Sequence, residues 1–233
     1  MSGTTWSAKR GELRTYFDRT AVEAWARLTS DAPVSRIRAT VRAGRDGMRA
    51  TLLQWLPADL RSQRLLDAGC GTGALALEAA RRDAHVTAID ISPTLIQLGR
   101  DRTAGMQGAG QVSFQVGDML DPALGQFDHV VAMDSLIHYE APEVVRALAA
   151  WAGRTRCSIL FTFAPRTRLL AAMHAVGKLF PRGDRAPAVV PVAEAKLRRL
   201  IAAEPALRGW RVEATHRVAR GFYISQAVRL VRG

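Results

Sequence analysis

Leu65-Leu66-Asp67-Ala68-Gly69-Cys70-Gly71-Thr72-Gly73 decides the fold of this 233-residue chain. A short apolar run ends on a carboxylate. Three glycines then alternate with other residues before Ala74–Arg82, whose composition predicts a helix. A buried strand that turns through glycines into a helix brings a ligand close to bare backbone, because glycine turns sharply and carries no Cβ. The Gly-Lys-Ser/Thr ending of a phosphate loop is missing, since Ala74 and Leu75 follow Gly73. A dinucleotide fingerprint tolerates Ala76 in its third glycine place. Asp67 at the strand end argues against a pyrophosphate and suits a ligand that carries an amino group.

Outward from this loop, short apolar runs alternate with helical stretches. Arg64–Ala68, His85–Asp90, Val112–Val116, His129–Met133 and Ser158–Phe163 read as strands, and Ala74–Arg82, Pro93–Asp101 and Pro142–Trp151 as helices. That alternation predicts an α/β fold with a parallel sheet covered on both faces. Trp210–Arg217 and Phe222–Val231 are strand candidates close enough to form an antiparallel hairpin at a sheet edge. Residues 1–61 read as an N-terminal helical cap, with Leu13, Tyr16 and Phe17 and later Val41, Met48 and Leu52 at helical spacing. Residues 62–165 form the core, 166–208 a helical basic insertion or cap, and 209–233 the strands that complete the sheet.

Four features fall at carboxyl ends of strands, where open parallel sheets bind ligands. The first is the glycine loop itself. The second is Asp90, followed by Ile91, where an acid can accept both hydroxyls of a ribose; Ser92 is the better helix cap before Pro93. The third is Asp118-Met119, suited to an exocyclic amine of adenine and to packing on its ring. The fourth is the strand that ends at Met133 and opens into a loop bearing Asp134, His138 and Tyr139.

The net charge is +12 and it is unevenly spread. Residues 1–61 hold 11 basic and 6 acidic side chains, 62–150 hold 6 and 11, and 151–233 hold 16 and 4. Basic ends attract carboxylates, phosphates or anionic membrane. With 6% aromatics and no basic–aromatic interleaving, a base-stacking surface is not expected, which argues against nucleic acid as the partner. Two cysteines, Cys70 and Cys157, make no disulfide framework, and neither a secretory signal nor a membrane span is visible. The expectation is a reduced, cytoplasmic protein. No His/Cys/Asp cluster has metal-ligand spacing.

Together these residues resemble the class I methyltransferases that use S-adenosyl-L-methionine (SAM), most closely over about 64–163. The resemblance implies a Rossmann-like, seven-stranded, mostly parallel sheet with its last strand antiparallel. It also implies that Asp67, Gly69 and Gly71 meet the methionine part of SAM, Asp90 the ribose, and Asp118 with Met119 the adenine, with Ala68, Ile91 and Met133 as further cofactor-binding residues.

Segments along most of the chain, several of them outside that core, resemble the magnesium-protoporphyrin O-methyltransferases more specifically. They are Tyr16-Phe17-Asp18, Val41-Arg42-Ala43-Gly44-Arg45, Asp134-Ser135-Leu136-Ile137-His138-Tyr139, Phe163-Ala164-Pro165-Arg166-Thr167, Gly177–Gly183 and Phe222-Tyr223-Ile224-Ser225. Thr29 departs from the tyrosine that relatives often carry there.

This resemblance implies methylation of one porphyrin propionate, with magnesium present only as part of the substrate. His138 and Tyr16 are then the candidate catalytic residues, and Tyr139, Arg166 and Lys178 the candidate acceptor contacts. Arg38, Arg42 and Arg168 are further candidates for a basic rim. The large subunit of magnesium chelatase is an implied partner, and the lipophilic pathway allows peripheral association at the inner face of a photosynthetic membrane. A methyltransferase of another small acid or amine is the alternative, and a basic RNA-binding protein with a SAM-type core is an alternative of another class.

Overall fold

A computed structural model describes residues 6–19, 36–104, 110–166 and 188–233. Within them, seven strands form one sheet: β1 (Arg64–Ala68), β2 (His85–Asp90), β3 (Gln111–Val116), β4 (Phe127–Ala132), β5 (Thr155–Phe163), β6 (Trp210–Arg220) and β7 (Tyr223–Arg232). The helices are α1 (Trp6–Arg19), α2 (Arg36–Gln54), α3 (Ala74–Ala80), α4 (Pro93–Thr103), α5 (Ala141–Ala152) and α6 (Glu194–Ala203). The strand order is β3-β2-β1-β4-β5-β7-β6. Neighbours from β3 through β5 pair in parallel, and β7 runs antiparallel to both β5 and β6. This is the Rossmann-like sheet with an antiparallel last strand.

The apolar strands read as continuous runs because both faces of the sheet are covered. Leu65 joins the core under Met48 and Leu52 of α2. Leu66, its neighbour, joins the opposite core with Val144, Leu148 and Trp151 of α5. That is the alternation a pleated strand imposes. β6 is the edge strand, and its outer positions are largely exposed and charged, with Arg211, Glu213, Arg217 and Arg220. Charge on an edge discourages pairing with another chain.

Local chemistry sets the helix starts. Ser92 caps α4, its hydroxyl accepting the Leu95 N–H at 3.2 Å, and Pro93 fills the first turn. Ser92 therefore takes the capping role and leaves the Asp90 carboxylate at the strand end. Sheet order reverses between β1 and β4, so the loops after these strands diverge and leave a crevice. α1 crosses this end of the sheet, and Leu13 packs into the core beside Ile89 and Tyr139.

Candidate active site

The crevice holds a cavity of about 390 Å³, within the range of small-molecule sites. Its walls come from the ends of β1, β2, β3 and β4, from α1 and α2, and from Val189.

The glycine loop forms one wall. Gly69, Gly71 and Gly73 all have positive φ, between 55° and 77°. At Gly69 a Cβ would also lie 2.4 Å from Cβ of Ser135, so this loop and the β4 loop approach through bare backbone. The Ser135 hydroxyl is buried and has no hydrogen-bond partner among the described residues. At a cavity wall such a hydroxyl is available to a ligand or to water.

Asp67 is 2% exposed and its Oδ2 accepts the Ala76 N–H at 3.1 Å. Burial pushes its pKa up to about 7, and Asp90 nearby adds to the rise. A cationic ligand would restore its charge. Asp90 accepts Gly71 N–H at 2.9 Å on one oxygen and Ser92 N–H at 3.0 Å on the other. Burial raises its pKa too. These backbone bonds hold the carboxylate still while leaving lone pairs for hydroxyl donors. The donor set fits SAM: carboxylates for its ammonium and ribose, bare backbone for close approach, and an orphan hydroxyl.

Several expected residues meet here and others do not. Asp67, Gly69, Gly71, Asp90, Ile91, Asp118, Met119, Met133, His138, Tyr139 and Tyr16 all line the cavity. Ala68 does not; it is fully buried in the core, because its side chain points to the face opposite that of Asp67. Asp118 has partners other than the expected adenine amine. Arg10 pairs with its Oδ2, the Trp6 indole donates to the same oxygen at 3.4 Å, and Leu120 N–H binds Oδ1 at 2.9 Å. Tyr139, expected at the acceptor, is instead stacked on Trp6 with centroids 4.3 Å apart. Arg166 is exposed and outside the cavity, its N–H bonded to Val192. Lys178, Arg168 and Thr29 lie outside the described residues, as does the Arg38 side chain.

His138 is buried, and its Nδ1 lies 3.2 Å from the carbonyl of Ala188. Only a protonated nitrogen can face a carbonyl, so Nδ1 carries the hydrogen and Nε2 is the basic position. Burial lowers the His138 pKa, which keeps the ring neutral.

Other cavity residues had no place in the expected set. Trp6, Arg10 and Leu13 form one face of α1, with Arg10 four residues after Trp6 and Leu13 three further on. Helical spacing from Leu13 through Tyr16 predicted a helix here, but not that Trp6 and Arg10 share a face with Leu13, nor which crevice that face covers. Arg45 pairs with Asp134 at 2.9 Å. Asp134, at φ 55°, also accepts the Tyr223 hydroxyl at 3.1 Å and the Ser225 hydroxyl at 3.1 Å, and Thr162 binds its N–H. This one carboxylate fixes the loop that carries Ser135 and His138.

A family model described as magnesium-protoporphyrin IX methyltransferase C-terminus matches residues 132–232, and a general methyltransferase domain matches 65–156. The magnesium-protoporphyrin O-methyltransferase of Rhodobacter capsulatus is 53% identical over 94% of this chain and 95% of its own. The chain belongs to the magnesium-protoporphyrin O-methyltransferases. The member of this family from Synechocystis is 29% identical over 94% of the chain and 95% of its own. A crystal structure of magnesium protoporphyrin IX methyltransferase from Synechocystis with bound SAH superposes with a TM-score of 0.84 at 26% identity, over 96% of this chain and all of that one. The segments that first resembled this O-methyltransferase family, from Asp134 to Tyr139 and from Phe222 to Ser225, lie within its C-terminal match. Among the described residues no His/Cys/Asp/Glu group could hold a metal, and no helix is long and apolar enough to cross a membrane.

Proposed function

We propose that this O-methyltransferase esterifies a propionate carboxylate of magnesium protoporphyrin with the methyl group of SAM. One observation carries the reading. A single cavity brings the buried carboxylates of Asp67 and Asp90 together with Arg42, Arg45 and Arg49 of α2 and with neutral His138. The carboxylates suit a cationic methyl donor, and the arginine-bearing wall suits an anionic acceptor.

When bound, SAM supplies an electrophilic methyl on a sulfonium. The acceptor needs little activation, since a carboxylate with a reference pKa near ~4 is ionised at neutral pH. The protein's work is therefore alignment and exclusion of water, which together can contribute roughly 7–11 kcal/mol. α1 covers the crevice, with Trp6, Leu13 and Tyr139 as its apolar closure. Neutral His138, anchored through Nδ1, offers Nε2 to take the residual proton of a propionic acid. It is not a fixed cationic anchor.

Product mass spectrometry with magnesium protoporphyrin, with and without SAM, tests this function. A monomethyl ester that depends on SAM is expected, and unchanged porphyrin at micromolar ligand overturns it. The basic ends, with 16 cationic side chains in 151–233, support docking to magnesium chelatase and to an anionic membrane surface as part of this proposal. Co-sedimentation with each checks them.

A further inference from the structure

A second groove, of about 190 Å³, lies beside the active-site cavity. Arg45, Asp134, Ile137 and Val189 line both, so the two spaces adjoin across a shared wall. The groove's remaining walls are Val41 of α2, Ala164 after β5, and Phe222, Tyr223, Ile224 and Ser225 at the β6–β7 turn. Its walls are mostly apolar. Its polar members are paired with one another: Arg45 with Asp134, and the hydroxyls of Tyr223 and Ser225, which both donate to Asp134.

The turn that makes one wall is unusual in what it displays. Arg220 pairs with Tyr223, so Gly221 and Phe222 form a two-residue hairpin loop. Gly221 has φ 55°, as such a turn requires at its first central position. Its missing Cβ would lie 2.7 Å from Oγ1 of Thr40, so the turn is seated directly on α2 beside Val41. The second central position of such a turn normally goes to a polar residue. Here it is Phe222, 54% exposed, one of two large hydrophobics left exposed among the described residues. A mostly apolar slot with an exposed aromatic ring in its wall, sharing Arg45 with the methyl-transfer cavity, suits a flat apolar acid.

We propose that this groove seats the tetrapyrrole ring of the acceptor, with Phe222 stacked on the macrocycle as a specificity-determining residue. The proposal rests on the acceptor assigned above. The wall shared with the active site, built from Arg45, Asp134, Ile137 and Val189, argues for this occupant over a second copy of the chain or a membrane. A ring held between Val41 and Phe222 extends past Arg45 into the cavity, where its carboxylate reaches the methyl donor.

Phe222 is exposed, so its replacement leaves the core intact. Phe222→Ala is expected to raise KM for magnesium protoporphyrin about tenfold, the lower end of what burying such a ring contributes. The KM for SAM and kcat at saturating acceptor should stay within about twofold, a span too small to reflect a lost contact. Phe222→Trp should keep KM, and its added indole fluorescence should be quenched by magnesium protoporphyrin alone, without SAM. Quenching without any ester product would leave the groove standing and overturn the proposed reaction. Normal ester production with an unchanged KM in Phe222→Ala and no added quenching in Phe222→Trp would overturn the groove. A Phe222→Ala protein whose only change is in sedimentation, or in binding to anionic liposomes, would assign the ring to self-association or to membrane, and would overturn it as well.

Discussion

Asp67→Asn isolates the energetic consequence of burying a carboxylate at the methyl-donor wall. The Asp67 pKa rises from 3.8 to about 7, mainly through burial. A shift of about three units corresponds to roughly 4 kcal/mol at 1.36 kcal/mol per unit. The folded state binds the extra proton, so the folded protein is favoured below pH 4. That advantage is lost as pH rises from about 4 through about 7. Asparagine keeps an oxygen for the Ala76 N–H and carries no charge at any pH. Without SAM, the variant should therefore be more stable than the parent at pH 8 by about 2–4 kcal/mol, or roughly 4–16 °C in Tm for a chain of this size. The gain should shrink to about 1 kcal/mol at pH 4.5, where the unfolded carboxyl is only partly ionised. The difference between the two proteins is the quantity to read, because buried His129 opposes the trend. Its pKa is lowered to about 4, so its effect on stability is lost as pH falls from 6.5 toward 4, in both proteins alike. SAM should reverse the order, since the ammonium and sulfonium favour an ionised Asp67; the variant should bind SAM more weakly at pH 8. Differential scanning fluorimetry from pH 4.5 to 8.5, with and without SAM, measures both. A Tm difference independent of pH would refute the reasoning.

Three further outcomes are expected. Asp134→Ala removes the partner of Arg45 and the acceptor of Tyr223 and Ser225. Denaturant unfolding should show a loss of about 3–5 kcal/mol, with partial recovery in an Asp134→Ala/Arg45→Met double variant; a loss below 1 kcal/mol would contradict the network. Gly69→Ala places a Cβ at φ 77° and 2.4 Å from Ser135, so calorimetry should find SAM binding weaker by about 10- to 100-fold. Near-parental affinity would show that this approach is slack. With SAM saturating, kcat/KM for the acceptor should be level from pH 7 to 8.5 and fall only below pH 6.5, because burial lowers the His138 pKa. An acidic limb with its midpoint above 6.5 would argue against a neutral His138.

The methyl-donor wall was legible because its information is local. Gly69, Gly71 and Gly73 announce positive φ, and Asp67 and Asp90 sit at the ends of apolar runs that can only be strands. The Ala68 side chain is in the core for a reason equally local: in a strand, adjacent side chains face opposite sides, so the one next to Asp67 points away from the cavity. The N-terminal face of Trp6, Arg10 and Leu13 was different. Its spacing revealed a helix, but a helix with an aromatic and a cation on its inner face can close over any acidic crevice. Only the fold sets it against Asp118 and Tyr139, more than 100 positions along in each case. Hence the Asp118 carboxylate, reasonably expected to face adenine, is held by Arg10 and Trp6.

The acceptor side depends still more on distant pairing, and Asp134 shows why. Its partners Arg45, Tyr223 and Ser225 stand 89, 89 and 91 residues away along the chain. Each belongs to a segment that carries the family resemblance, but nothing in the sequence joins a helix arginine, a strand tyrosine and a strand serine to one carboxylate. Once β7 inserts between β5 and β6, the Ser225 end of the hairpin reaches the β4 loop, and α2 lies across both. A residue at positive φ with a buried carboxylate is unfavourable by itself. It persists because three segments converge on it, and that convergence sets His138 in the cavity and the β6–β7 turn beside it. A change at Asp134 should therefore disturb methyl transfer and acceptor binding together, whereas a change at Phe222 should disturb acceptor binding alone. The two variants separate the frame of the site from the surface that reads the substrate.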